Sequence, residues 1–145
     1  MRYSPFSPAR RAPSRESARA PPEAPKSGYR FGKGVYFASL CEKSAAYCRS
    51  GSGDILMMLC EVQLGKIKEL FRDTYMEKPM KGSHSTRAVG RMQPDPAKHH
   101  TMSNGAVAPM GKPKGVKITS SAAHDEYIIY DIAQVQISYL LRISI

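Results

Sequence analysis

The sequence predicts an α+β domain built mainly of β-strands, and three segments carry that expectation. Ile55 to Leu64 is apolar over a length that suits a buried strand. Glu126 to Asp131 is rich in aromatic and β-branched residues, the side chains that fit a pleated surface. At the C-terminus, Ile137, Tyr139, Leu141, Ile143 and Ile145 alternate with Gln136, Ser138, Arg142 and Ser144, broken only by Leu140. That period of two predicts a strand with one buried face.

Residues 1–18 are rich in Arg, Pro, Ser and Ala with no hydrophobic period, which predicts a disordered leader. Its arginines suit either a nuclear-localisation or nucleic-acid-binding arm, or a merely solvated extension. Ser39 precedes Leu40-Cys41-Glu42, a capping-box spacing, and good helix formers follow to Arg49, so a short helix is expected over about 40–49. Ser50-Gly51-Ser52-Gly53 ends it. The longest uninterrupted apolar run, Ile55 to Cys60, has six residues, whereas a membrane-spanning helix needs roughly 20.

The chain has 145 residues, 22 Lys+Arg against 12 Asp+Glu and a formal net charge of +10. Residues 1–27 carry six Lys/Arg and two Glu, and residues 78–117 carry eight Lys/Arg and one Asp. These two segments also hold all 11 prolines, which assigns the excess charge to loops and tails. Residues 118–145 carry one Arg and three acids. Cys41, Cys48 and Cys60 are odd in number and lack CxxC spacing, a pattern suited to a reducing compartment. Seven residues apart on one face of the expected helix, Cys41 and Cys48 read as small core residues rather than metal ligands. His99-His100 reads as a solvated pair.

Dinucleotide-binding GxGxxG, P-loop, HExxH and GxSxG patterns are all absent. The run from Gly28 to Ala38 instead places Gly28, Gly32 and Gly34 within seven residues beside Tyr29 and Tyr36. Such a loop suits either a tight turn with core tyrosines or the close approach of a flat ligand. Ser44 and Tyr47, three apart, fall on one face of the expected helix. Along the strand at 126–131, Glu126, Ile128 and Tyr130 share one face, and Tyr127 and Ile129 the other.

Five runs, APPEAPKSGYRFGKGVYFAS, EKSAAYC, CEVQLGK, KGSHSTRAVGRMQPDP and DEYIIYDIAQVQISYLL, occur in order from residue 20 to residue 141. Together they resemble successive motifs of the catalytic domain of poly(ADP-ribose) polymerases, over residues 19–145. The resemblance implies an ADP-ribosyltransferase-like fold of split, mainly antiparallel sheets with few short helices. It also implies NAD as substrate, no metal, and transfer of ADP-ribose to protein acceptors or to poly(ADP-ribose) with release of nicotinamide. By motif match, Tyr36 and Tyr47 would flank nicotinamide, Ser44 would bond its carboxamide, Tyr29 would be the stacking residue of the donor-site loop of residues 19–34, and Gly34 of that loop would also be cofactor-binding. Glu126 would be the catalytic glutamate.

The family's polymer-forming members use a His-Tyr-Glu set whose histidine precedes the donor loop. None of His84, His99, His100 or His124 lies before Tyr36. The resemblance therefore implies the C-terminal part of the catalytic domain, its N-terminal part missing, and a truncated chain of weak or no activity. Hydrogen bonds lost with the upstream motif, at about 0.5–1.5 kcal/mol each, would weaken NAD binding. Arg30 stands in the loop where better-known members carry an apolar residue. Nuclear localisation and a role in DNA repair are what the family implies. The alternative function is a non-enzymatic basic module that binds nucleic acid or poly(ADP-ribose) through residues 2–30 and 78–117.

Overall fold

The computed structural model describes residues 2–4, 29–48 and 53–144. Eleven strands and one short α-helix lie within them, in the order β1 (Arg2–Ser4), β2 (Val35–Ala38), α1 (Cys41–Ala45), β3 (Asp54–Gln63), β4 (Ile67–Leu70), β5 (Ser85–Ala88), β6 (Met92–Pro94), β7 (His100–Thr101), β8 (Val107–Ala108), β9 (Pro113–Gly115), β10 (Glu126–Ile129) and β11 (Val135–Ser144). Short 3-10 helices at Pro96–Lys98 and Ile132–Gln134 each begin after an aspartate, Asp95 or Asp131, whose carboxylate accepts from the amide two residues on.

A five-stranded sheet has the order β11-β3-β1-β8-β7, a four-stranded sheet the order β2-β10-β5-β4, and β6 pairs with β9 in a third. Pairing is antiparallel except for β1 with β3 and β4 with β5. The expected strand-rich architecture is present in these sheets.

The core has two compartments separated by β10. Cys60, Val62 and Leu64 from β3 and its end meet Tyr127 and Ile129 of β10, with Phe37 and Val135 at the margin. Ile128 turns the other way, into Phe31, Ala88 and Ala122, with Tyr36, Leu70 and Tyr130 alongside. Strand alternation thus places Tyr127 and Ile129 on one face and Ile128 on the other, as the sequence pattern requires. All four residues of β10 are buried. Each large apolar side chain so enclosed contributes about 1.5–3 kcal/mol.

Several expectations need correction. Residues 2–4, assigned to a disordered leader, form β1, which pairs with β3 on one side and with β8 on the other. Both neighbours offer ladder groups at that point, and three extended residues satisfy them. The remainder of the leader and the donor-loop residues 19–28 lie outside the described residues. The helix is shorter than expected and starts after Leu40, without a side-chain cap. Glu42 bonds the His124 imidazole at 3.1 Å instead of reaching back to Ser39, whose hydroxyl is buried without a partner among the described residues. A contact across 82 residues has displaced a local one.

The Cys41 and Cys48 reading also fails. Cys41 is exposed, and Cys48 lies beyond the helix end, with its thiol near the carbonyls of Ser44 and Leu56. On β11 the alternation is present but the face is not covered by described residues: Ile137 is 61% and Tyr139 59% exposed. Its ladder with β3 shifts register between Ile137 and Tyr139, next to the Leu140 that breaks the sequence period. The basic segment 78–117 runs through β5 to β9, and Lys98, Lys112, Lys114 and Lys117 are exposed there.

The turn before β2 depends on Gly32, whose φ is +102° and where an added Cβ would lie 1.6 Å from the Met76 carbonyl oxygen. Gly32→Ala is expected to cost about 2 kcal/mol or more, read as a lower urea midpoint at unchanged slope. A midpoint within error of the unsubstituted chain would show that the loop relaxes around the methyl group.

Candidate functional site

Glu126 opens β10, and its neighbours across the sheet are Ala38 of β2 and Ala88 of β5. Small residues on both sides leave room for its side chain, which is only 11% exposed. A carboxylate held so far from water requires a partner. Lys43 of α1 supplies it, with Nζ 3.2 Å from Glu126 Oε1. The same ammonium donates to the Tyr47 hydroxyl at 3.1 Å and lies 5.0 Å from the centre of the Tyr47 ring. The turn that follows the helix keeps the Tyr47 hydroxyl within reach of Lys43, four residues earlier.

These groups line a cavity of about 1140 Å³, together with Tyr36, Ser44 and apolar side chains of β3 and β11 such as Met57 and Leu141. Four of the six residues singled out from sequence, Glu126, Tyr36, Ser44 and Tyr47, therefore share one space. The helix ends at Ala45, so Tyr47 stands in the following turn, its amide bonded to the Ser44 carbonyl at 3.0 Å, and its side chain is exposed.

Tyr29 and Gly34 are not among the lining residues. The Tyr29 ring lies against the back of Tyr36, with centroids 6.2 Å apart and planes at 49°. Gly34 packs on β10, where a Cβ would meet Ile128 Cγ2 at 2.6 Å and the Ile129 carbonyl oxygen at 2.7 Å. It is needed for close approach of two backbones rather than for the cavity wall.

The loop carrying Tyr29 to Gly34 is fastened from several sides. Tyr36 Oη donates to the Gly32 carbonyl at 2.8 Å and accepts from the Phe31 amide at 3.1 Å. Tyr130 Oη donates to the Phe31 carbonyl at 3.3 Å, and the Lys33 amide donates to the Met76 carbonyl at 2.9 Å. Arg30 forms two 2.7 Å bonds to Asp73 and a third to the Ser121 carbonyl at 3.0 Å. Asp73 is thereby held below the usual carboxylate range. Arg30 thus tethers the loop to residues 73 and 121.

Lys43 is the site residue that sequence reasoning did not select. A lysine in a short helix reads as a solvated side chain, and its partner is 83 positions away. The available signal was its helical spacing to Tyr47, without any indication of Glu126.

Burial acts against the charged form of Lys43, but the Tyr47 hydrogen bond and the charge of Glu126 outweigh it and raise its pKa. Desolvation favours the neutral phenol of Tyr36, and its pKa is pushed up to about 12.

A sheet protein with a nearly buried ion pair at the mouth of one strand is the class these features define. The family model for the poly(ADP-ribose) polymerase catalytic domain matches residues 18–145. Poly(ADP-ribose) polymerase 1 of Arabidopsis thaliana is 45% identical over 127 residues, covering 86% of this chain and 13% of that protein. The Danio rerio polymerase 1 is 46% identical over 127 residues, covering 86% and 12%. Poly(ADP-ribose) polymerase 2 of Arabidopsis thaliana is 41% identical over 134 residues, covering 86% and 20%. The chain belongs to the poly(ADP-ribose) polymerase catalytic-domain family, and it spans a fifth or less of the length of these relatives.

Both raised groups are expected to make stability fall at alkaline pH. The contribution of Lys43 is complete below its unfolded value of about 10.4 and disappears as pH rises through the higher folded value. That of Tyr36 disappears between about 10, the unfolded value, and its folded value near 12. Urea midpoints measured from pH 8 upward should decline above about pH 10, with a shallower decline in Lys43→Met and in Tyr36→Phe. Identical slopes in all three proteins would exclude these two groups as the source.

Proposed function

We propose that the cavity binds NAD as a substrate and that Glu126 directs transfer of its ADP-ribosyl group to an acceptor side chain or to a growing polymer. In this reaction the bond from the ribose C1′ to the nicotinamide nitrogen breaks. Its electron pair leaves with nicotinamide, which becomes neutral. A bond forms from C1′ to the acceptor oxygen, and where that oxygen is a hydroxyl its proton passes to the Glu126 carboxylate and then to water. The transition state carries positive charge at C1′, so a fixed carboxylate both stabilises it and orients the acceptor.

The observation that carries this reading is the convergence of Glu126, Lys43 and Tyr47 in one cavity with Tyr36 and Ser44. Each group has a role that follows from its surroundings and from the family match. The Tyr36 hydroxyl is occupied by the loop backbone, so its ring is fixed and presents a face on which nicotinamide can stack. The exposed ring of Tyr47 supplies a second face, and the Ser44 hydroxyl a bond to the carboxamide. Tyr29 supports Tyr36 from behind. Gly34 sets the distance of the loop from β10. Lys43 holds the Glu126 side chain toward the cavity through the ion pair and, being a cation, also counters the charge of an anionic acceptor. Nuclear localisation and participation in DNA repair accompany this assignment, as does protein or polymer as the acceptor.

Glu126→Gln keeps the size of the side chain and removes its charge. With labelled NAD, transfer by this variant is expected to fall by at least about 10²-fold, while NAD affinity measured by calorimetry stays within about threefold. Binding and transfer both lost would place Glu126 in ground-state binding. An unsubstituted chain that neither binds, hydrolyses nor transfers from NAD would defeat the proposal.

A further inference from the structure

We propose that Arg87 and Asp125 are positioning residues for Glu126: their half-buried ion pair locks the register of β10 so that the following residue is delivered to Lys43. The proposal rests on the reading of Glu126 as the reacting carboxylate, and its geometry is independent of that reading.

Asp125 is 2% exposed, and both carboxylate oxygens are engaged. Oδ1 accepts from the Gly90 amide at 2.7 Å, and Oδ2 from Arg87 Nη2 at 2.8 Å. Arg87 Nη1 continues to Glu69 Oε1 at 2.8 Å, while Nη2 also donates to Gln93 Oε1 at 3.2 Å. Gln93 closes the circuit by donating to the Gly90 carbonyl at 2.9 Å. Glu69, Arg87 and Tyr127 are register partners on β4, β5 and β10. The cluster therefore fastens three neighbouring strands on one face.

Asp125 lies between the bridge at His124 and the start of β10, and successive side chains of an extended chain point to opposite faces, so fixing Asp125 on the Arg87 side fixes Glu126 on the other. A slip of one residue would exchange them. Gly90 permits the arrangement, because a Cβ there would come within 2.1 Å of the His124 carbonyl carbon.

Stability alone is a weak explanation for this pair. Exchanging a buried ion pair for well-packed apolar residues is commonly neutral or favourable, and the best-attested use of such a pair is to specify register. Arg87 Nε is in addition buried without a partner among the described residues, a cost that a purely stabilising contact would avoid.

The test compares the full chain with Asp125→Asn and Arg87→Lys, following the Lys43 side chain by NMR titration with 13C-labelled lysine. Asp125→Asn keeps an acceptor for the Gly90 amide and loses the charge that Arg87 reads. The expected result is a folded variant in which the Lys43 pKa falls toward the ordinary value of about 10.4, because Glu126 has left it. The kcat for NAD should fall on the order of 10²-fold, as a misplacement of about 1 Å does, with KM within about threefold. Folded variants of both kinds whose Lys43 titrates as in the unsubstituted chain would overturn the proposal. So would failure of both to fold cooperatively, since the pair would then be a stability element. An unsubstituted chain inert toward NAD, in which Lys43 still responds to Asp125→Asn, would defeat the functional reading and leave the positioning role standing.

Discussion

A strand buried on both faces that begins with a carboxylate is the constraint on which the rest of this structure depends. Tyr127 and Ile129 lie against one layer and Ile128 against the other, so β10 has no freedom to turn its first residue toward water. Desolvation makes that position costly for an unpaired charge. The short helix α1 resolves the conflict by bringing an ammonium to Glu126. Ala38 and Ala88 have to be small for the same reason, since a larger side chain beside Glu126 would take the space its carboxylate needs.

The loop before β2 is built on an equivalent principle with neutral groups. Its backbone amides and carbonyls are too close to the core to be left to solvent, and two tyrosine hydroxyls, from Tyr36 and Tyr130, satisfy Phe31 and Gly32. Those bonds explain the residue type better than stacking alone, because phenylalanine would fill the same volume and leave the backbone groups unpaired. Each tyrosine thus connects core to loop, and the orientation of the Tyr36 ring in the cavity follows from bonds made at its other end.

Whether a feature could be read from sequence depends on how local its cause is. The alternation along β10 is set by neighbours within a few residues and appears in the structure as the pattern requires, whereas the need for Gly32 and Gly34 comes from Met76 and β10, far along the chain. Ser39 and Glu42 satisfy every local rule for a capping box, yet His124 takes the glutamate, and nothing near residue 42 announces it. Lys43 was invisible for the same reason. The strand at the C-terminus is a different case: its period of two is real, but the pattern specifies only that one face is apolar, not that the described residues supply something to cover it. Composition was similarly indirect about charge. The excess of basic residues lies mainly outside the site, where one lysine and one glutamate balance.

Asp125 and Glu126 together show how two adjacent acids can be more specific than either alone. At the entry to β10 they face opposite ways, and each meets its own cation, Arg87 on one side and Lys43 on the other. In a register displaced by one residue each carboxylate would be carried to the opposite face, away from its own cation, whereas an apolar strand in the same place would lose only packing. Breaking a buried pair by taking away one partner costs about 3–5 kcal/mol, because the remaining charge is stranded. A penalty of that kind separates the native register from its neighbours in addition to the packing of the alternating Ile and Tyr. The acids that make β10 expensive to bury are thus the groups that make its position unambiguous, and a reacting carboxylate placed there inherits that definition.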